Sequence, residues 1–326
     1  MRVTSSFNIG RRRLFEVSFG AAALSITGIP LSTAFAGEEG AITIRDSRGV
    51  HEFTRVPQRV VALQWDILEN LVGLGVRPAG AADIASWAEW VREPALPDRI
   101  VDVGTRAEPN LERIAELKPD LILIGPTQED LLPQLKGIAP VLLFENYRAE
   151  SAEDEAETAI AQFRELGRLF RAEDRAEAEI ARIEAGLAEL RDKVKRAFGT
   201  APEVQVIRFS SLTTLFVYTP NSICNYALKK MGIRQPLQLP NASYGLTQVR
   251  IRDLKDYADA YVVYIRPFAM EKKVLNSILW CATPFARKGH VAAAEPYWSH
   301  GGAPSILVTA RRITDALLTL APGAGQ

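Results

Sequence analysis

Apolar positions recur along this chain in two alternating rhythms. At residues 41–44 and 50–53, apolar and polar side chains alternate on either side of the turn-forming cluster Asp46-Ser47-Arg48-Gly49, which predicts a β-hairpin. Short unbroken apolar runs follow at 60–63, 78–81, 100–103, 121–124 and 141–144, as expected of strands buried on both faces. Between them, up to residue 74 and again at 111–117 and 131–138, apolar residues return at helical spacing. Continuous strands alternating with helices predict a parallel sheet covered on both sides.

Residues 151–198 contain no proline and are densely charged. Ala156, Ile160, Phe163, Leu166 and Phe170 form one stripe, and Ala176, Ile180, Ile183, Leu187, Leu190 and Val194 another, so two amphipathic helices are expected with a break near 172–174. The second stripe also has coiled-coil spacing, but it is too short for that and reads as a face packed on its own lobe. Beyond Gly199 the alternation resumes, with strands at 204–209, 215–218, 260–265 and 291–294 and helices at 222–231, 251–257, 272–280 and 303–320. The predicted fold class is therefore α/β: two similar α/β lobes joined by a long interdomain helix, with a ligand cleft between them. The expected boundaries are a signal segment at 1–36, an N-terminal lobe at 37–150, the interdomain helix at 151–171 and a C-terminal lobe at 172–326.

The first thirty-six residues stand apart from this pattern. A basic stretch ends in Arg11-Arg12-Arg13, an apolar stretch runs through 17–31, and Ala34-Phe35-Ala36 supplies a small-residue cleavage site. Arg11-Arg12-Arg13-Leu14-Phe15 resembles a twin-arginine export signal, with Glu16 where lysine is usual. Glycines and Pro30 make the apolar stretch a poor membrane span. No cysteine follows the cleavage site, which excludes lipid attachment there, and a soluble, monomeric periplasmic protein is expected.

Charge changes the picture once that segment is removed. The whole chain has 326 residues with 39 Lys+Arg against 39 Asp+Glu, whereas residues 37–326 carry 35 basic and 38 acidic side chains. A neutral to slightly acidic body lacks the positive field that nucleic-acid binding needs, so nucleic acid is not an expected partner. Two cysteines, Cys224 and Cys281, are too few for a zinc cluster or a disulfide framework, and their spacing leaves open whether they pair. His51, His290 and His300 are scattered without metal-ligand spacing. The phosphate loop, the dinucleotide-binding glycine turn and the nucleophile elbow are all missing, so the chain reads as a binding protein rather than an enzyme.

Several blocks resemble a known family. Residues 60–65 (Val-Val-Ala-Leu-Gln-Trp) running on through 70–76, and above all Asp102-Val103-Gly104-Thr105-Arg106-Ala107-Glu108-Pro109-Asn110-Leu111-Glu112 with Leu117-Lys118-Pro119-Asp120, are similar to the iron(III)-siderophore periplasmic binding proteins of ABC importers, the ferric hydroxamate binders in particular. In the second half the likeness rests on Asp253-Leu254, Thr283-Pro284-Phe285 and Trp298-Ser299-His300-Gly301. The resemblance implies capture of a ferric siderophore and its delivery to an inner-membrane permease and its ATPase. No cofactor of the protein's own is implied, because iron arrives already wrapped by the siderophore, which also suits the scarcity of histidine.

Such a ligand calls for aromatic surface against its skeleton and a cationic fork for its iron-bound oxygens. Taken alone, an arginine two residues from Glu108 reads as half of a surface ion pair; by the resemblance of the block around it, Arg106 matches the arginine that contacts the hydroxamate oxygens in the family. Trp65, Trp90 and Trp298 match cleft tryptophans, and Tyr244 stands where a second-lobe tryptophan is usual. Trp87 and Trp280 read as packing residues. Where the family places a tyrosine after the strand at 121–124, this chain has Gly125-Pro126-Thr127-Gln128, so Thr127 or Gln128 is left to substitute. Tyr264 and Arg266, at the end of the strand at 260–265, are expected to reach the cleft by the strand-end rule. Glu112 and Asp253, each in the first turn of a helix, suit the helix dipole and match the acidic residues that dock on the permease. The alternatives are another large ligand (a ferric catecholate or citrate, haem or cobalamin) or an exported chelatase-like enzyme; His300 and Tyr244 are the axial ligands on offer for haem.

Overall fold

The computed structural model describes residues 40–147 and 154–323, except 238 and 258. The expected export signal, its expected cleavage site and the expected 150/151 boundary lie outside the described residues.

The hairpin forms as expected, β1 (Ile42–Asp46) pairing antiparallel with β2 (Gly49–Phe53). Asp46 pins it to the lobe by accepting a hydrogen bond from Leu143 N at 2.9 Å. The first lobe then runs β3 (Val60–Ala62), α1 (Trp65–Gly73), β4 (Gly80–Ala81), α2 (Ile84–Trp90), β5 (Val101–Asp102), α3 (Leu111–Glu116), β6 (Leu121–Ile124), a 3₁₀ segment (Pro126–Leu131), α4 (Leu132–Lys136) and β7 (Val141–Leu143). Its sheet has the order β5-β4-β3-β6-β7 and is parallel throughout.

Two helices follow: α5 (Glu155–Leu169) and α6 (Glu173–Phe198). The whole predicted stripe of α6 is buried, and the helix packs against α5, so the stripe serves this chain's own core. The second lobe comprises β8 (Val204–Phe209), β9 (Thr214–Tyr218), α7 (Ile223–Lys230), β10 (Leu246–Arg250), β11 (Tyr261–Ile265), α8 (Glu271–Leu275), α9 (Ile278–Cys281), α10 (Pro284–Arg287), β12 (Val291–Ala294) and α11 (Ala303–Leu318). Its sheet, ordered β10-β9-β8-β11-β12, is parallel across β8, β11 and β12, while β9 is antiparallel to both of its neighbours.

The α/β class and the two-lobe architecture match expectation, with differences in detail. The segment expected to be a helix at 251–257 is only a 3₁₀ turn at Ile251–Leu254, preceded by the unexpected edge strand β10. The helix expected at 272–280 is divided: Ser277 ends the first piece and its hydroxyl accepts from Trp280 N, starting the next. Both thiols are free, Cys224 buried in α7 and Cys281 exposed in α9. Among the described residues no helix is long and apolar enough to cross a membrane.

Side-chain alternation sorts each sheet into two faces. In the first lobe Val60, Ala62, Leu121 and Leu123 look one way, while Val61, Leu63, Ile122 and Ile124 look the other, toward α3 and α4. In the second, Val263 and Ile265 face α7 and α11, whereas Val262 and Tyr264 face Trp280 and Phe285. The inward faces of both lobes, together with α1, α5, α6 and α11, share one continuous apolar cluster.

Candidate functional site

Loops from both lobes enclose a cleft of about 500 Å³. The first-lobe wall is built on the loop joining β5 to α3. Gly104 turns with φ +96°, Thr105 Oγ1 accepts from Glu108 N, and Asn110 Oδ1 caps α3 by accepting from Arg113 N at 2.9 Å. At the tip of this loop Arg106 is held on three sides. Its Nε donates to Asp83 Oδ2 at 3.2 Å, its backbone oxygen accepts from Gln128 Nε2, and its guanidinium carbon lies 3.7 Å from the ring centre of Trp65 and 5.0 Å from that of Trp298. Among the described residues, its two Nη nitrogens have no hydrogen-bond partner. A planar cation is thus clamped with its outer edge free, the geometry suited to a fork on partly negative oxygens. Thr127 completes this wall, its hydroxyl accepting from Gln64 Nε2 at 2.9 Å.

The opposite wall is aromatic. Tyr147 and Tyr244 stack with centroids 5.7 Å apart and planes 8° from parallel. His300 stands edge-on to Tyr147, Tyr244 and Trp298 at 5.6, 5.7 and 5.4 Å. Burial foremost, and then the charges of Arg208 and Arg106, push the His300 imidazole down to about 3, so it is neutral at physiological pH. Tyr244 is 48% exposed and sits at φ +57°, a left-handed conformation that a non-glycine residue adopts at a cost.

Beneath the cleft α1 meets the start of α11. Glu69 Oε2 accepts from Gly302 N at 2.7 Å and from Ser305 Oγ at 2.6 Å, and Asn70 Oδ1 accepts from Ala303 N at 3.0 Å. First-lobe side chains therefore satisfy the N-terminal donors of a second-lobe helix. Only glycine permits the approach, since a Cβ on Gly301 would lie 2.3 Å from Glu69 Oε2 and one on Gly302 2.2 Å from Asn70 Oδ1. Tyr147 Oη reinforces the seam by donating to Gly301 O at 2.6 Å. Burial pushes the Glu69 carboxyl up to about 8 and that of Asp66, one turn earlier, to about 6.

Among the described residues no cluster of three or more His, Cys, Asp or Glu side chains is arranged to hold a metal ion. The chain and its fold are matched by known proteins. The family model described as periplasmic binding protein matches residues 60–297. This chain belongs to the periplasmic binding protein family. It is 31% identical over 274 residues to the iron(3+)-hydroxamate-binding protein FhuD of Escherichia coli, covering 80% of this chain and 87% of that one. It is also 28% identical over 261 residues to the Fe(3+) dicitrate-binding periplasmic protein FecB of the same organism, covering 78% of this chain and 82% of that one. Among solved structures, the Fe3+-Desferal-bound siderophore-binding protein FhuD of Vibrio cholerae superposes with a TM-score of 0.79 at 42% identity, over 81% of this chain and 99% of that one.

Within this periplasmic binding protein the residues anticipated from sequence are divided. Arg106, Tyr244, Trp298 and Thr127 line the cleft. Trp65 does not: at 1% exposure it lies under Arg106 as a platform. Gln128 is fully buried and holds the Arg106 loop from behind, so Thr127 is the one that faces the ligand space. Trp90 is half-buried outside the cleft lining, its ring 5.7 Å from the Arg208 guanidinium of the other lobe. Tyr264 and Arg266 do not reach the cleft. Tyr264 falls on the outward face of its sheet by strand alternation and donates to Glu271 Oε1 at 2.8 Å, and Arg266 pairs with the same carboxylate at 2.7 Å. The ion-pair partner of Arg106 is Asp83 rather than Glu108. Glu112 and Asp253 are both exposed; Asp253 Oδ2 also accepts from Arg250 N at 3.0 Å, capping its own turn.

Tyr147, Asp66 and Asp83 are among the lining residues that were not anticipated. Tyr147 follows the apolar run 141–144 by three positions, which places it beyond a strand end and was the available signal. Asp66 and Asp83 carried none, since each is defined by what packs around it.

Proposed function

We propose that this protein captures a ferric siderophore of the hydroxamate type in the cleft and presents it to an inner-membrane ABC permease for iron uptake. The observation that carries the reading is Arg106, clamped by Asp83 and stacked on Trp65, its Nη nitrogens unpartnered among the described residues, in a cavity it shares with the rings of Tyr147, Tyr244, Trp298 and His300. A hydroxamate complex fills the iron shell with its own oxygens and needs from the protein a donor fork and flat apolar walls. Thr127 supplies a hydroxyl beside that fork, and Tyr244, Trp298 and neutral His300 supply the walls. A ferric citrate or catecholate is polyanionic and calls for several cations, yet Arg106 is the one cationic residue lining the cleft among the described residues, against two carboxylates. The relatives named above are substrate-binding proteins, and the role proposed here is likewise binding without turnover. Glu112 and Asp253, one per lobe, are the proposed docking points for the permease, and residues 1–36 the proposed twin-arginine export signal, placing the mature chain in the periplasm as a monomer. Titrating tryptophan fluorescence with ferric hydroxamate, ferric catecholate, ferric citrate, haemin and cobalamin tests this. Saturable quenching by the hydroxamate, weakened at least about a hundredfold in Arg106→Ala, is the expected result; tight binding of one of the others alone would overturn it.

A further inference from the structure

The second lobe holds a cation that the cleft does not use. Along β8, Val204 and Val206 face the core shared with α7 and α11, whereas Ile207 and Phe209 face outward. Strand alternation turns Arg208 to the same inward side as Val206. Its half-buried guanidinium donates through Nη2 to Tyr297 O at 3.3 Å and lies 5.7 Å from the ring of Trp90. Among the described residues no carboxylate pairs with it. Glu295, two positions before Tyr297, is taken by Arg92 and Arg266 at 3.6 Å each. Arg208 is not part of the cleft lining, so a ligand in the cleft does not supply its counter-charge.

Around this cation the hydrogen bonds do not close. Arg208 Nε, Tyr218 Oη and Tyr297 Oη are all shut off from solvent, and none has a hydrogen-bond partner. Both tyrosines are 1% exposed and belong to the same apolar cluster as Cys224. The Tyr218 hydroxyl lies beside the guanidinium and Ser299, and the Tyr297 hydroxyl beside the Cys224 thiol. These donors gather without bonding one another, as donors do around a common acceptor. Buried donors left unmade are costly, and a cation turned inward without a counter-charge adds to that cost. A water molecule would accept some of these hydrogen bonds and leave the charge standing. A monovalent anion of similar size accepts them and neutralises the charge as well.

We infer that Arg208, Tyr218 and Tyr297 form a buried binding site for a small monovalent anion of the halide class, chloride above all. The anion ties β8 and the end of β9 to residues 297–300, the run that carries Trp298 and His300 into the cleft wall. It braces that wall from behind, outside the ligand space, and stands independently of which ligand the cleft takes.

The test follows thermal unfolding at pH 7.5 and one ionic strength in sodium chloride, sodium bromide or sodium gluconate, whose anion is too large to enter. Chloride and bromide should raise the midpoint by about 2–4 °C over gluconate, saturably with concentration. In the double variant Tyr218→Phe/Tyr297→Phe, which keeps both rings and deletes two donors, the difference should vanish. Crystals grown in bromide should show an anomalous peak within hydrogen-bond reach of Arg208 Nε and both Oη atoms. Equal midpoints in halide and gluconate for the natural chain overturn the inference whether or not the variant folds, and so does a halide effect that survives in the variant. Bromide at surface positions alone would be an adventitious ion only, and an ordered water at Arg208 Nε without anomalous signal would fill the site with solvent; either result overturns the inference too.

Discussion

The guanidinium of Arg106 lies 3.7 Å above the ring of Trp65, and Trp65 is itself closed off from solvent. The tryptophan thus acts on the ligand at one remove, by fixing the plane in which the arginine presents its outer nitrogens. It also packs edge-on against Trp87 at 6.0 Å and Trp298 at 4.8 Å, so both lobes lean on it.

Trp65→Ala should therefore lower both stability and affinity. Removing a fully buried tryptophan is expected to cost about 3–5 kcal/mol, read as a lower urea midpoint. Trp65→Phe, which keeps a ring under the guanidinium, should recover most of the affinity for ferric hydroxamate and only part of the stability. Equal affinity in the two variants would show that the stacking does not position Arg106.

Tyr244 offers the opposite trade. Its left-handed backbone suits glycine, so Tyr244→Gly should be neutral or stabilising by about 1 kcal/mol in urea unfolding, while removing a ring that lines the cleft and stacks on Tyr147. Affinity for ferric hydroxamate should fall about tenfold or more. A variant that lost stability and kept affinity would contradict the role given to this side chain.

Stability should depend on pH through the buried carboxyls. Burial pushes Glu69 and Glu155 from an ordinary 4.5 up to about 8. Folded, each holds its proton more tightly than unfolded, so its contribution is complete below about pH 4.5 and is lost as pH rises through about 8. His300 acts in the other sense: with its folded value pushed from 6.5 down to about 3, its contribution is present above 6.5 and lost as pH falls toward 3. The urea midpoint should accordingly decline between pH 6 and pH 9. Glu69→Gln, whose amide oxygen still accepts from Gly302 N and Ser305 Oγ, should make that decline shallower; an unchanged slope would exclude Glu69 as its source.

Charge reversal at Glu112 and Asp253 together should abolish siderophore-dependent growth on scarce iron while leaving the fluorescence titration unaltered. Losing the Asp253 cap is expected to cost about 1 kcal/mol, too little to unfold the chain. Normal uptake by the doubly reversed protein would remove both residues from the docking surface.

What could be read in the sequence divides along physical lines. The strand at 121–124 and the α6 stripe were legible because burial on both faces, or along one helical face, writes an apolar pattern into consecutive residues. The edge strand at 246–250 was not, since Thr247 and Gln248 stand side by side between only two apolar side chains and one of its sides has no neighbour. Arg106 was legible from the block around it. Tyr264 was misplaced for a related reason: alternation shows that neighbouring residues point oppositely, but only the covering helices α7 and α11 decide which side of β11 faces inward. Asp66 was invisible because nothing in its neighbours reveals that α11 and Tyr147 will close over it.

The apolar cluster that crosses from one sheet to the other has a consequence for how the chain comes apart. Residues 40–147 produced alone would expose the seam where α1 meets α11, together with the glycine-lined contact at Glu69, and the second half would expose the complementary surface. Neither half is a domain in the sense of a piece that folds by itself. The two lobes should melt in a single cooperative step, and evolution is not free to exchange one without the other.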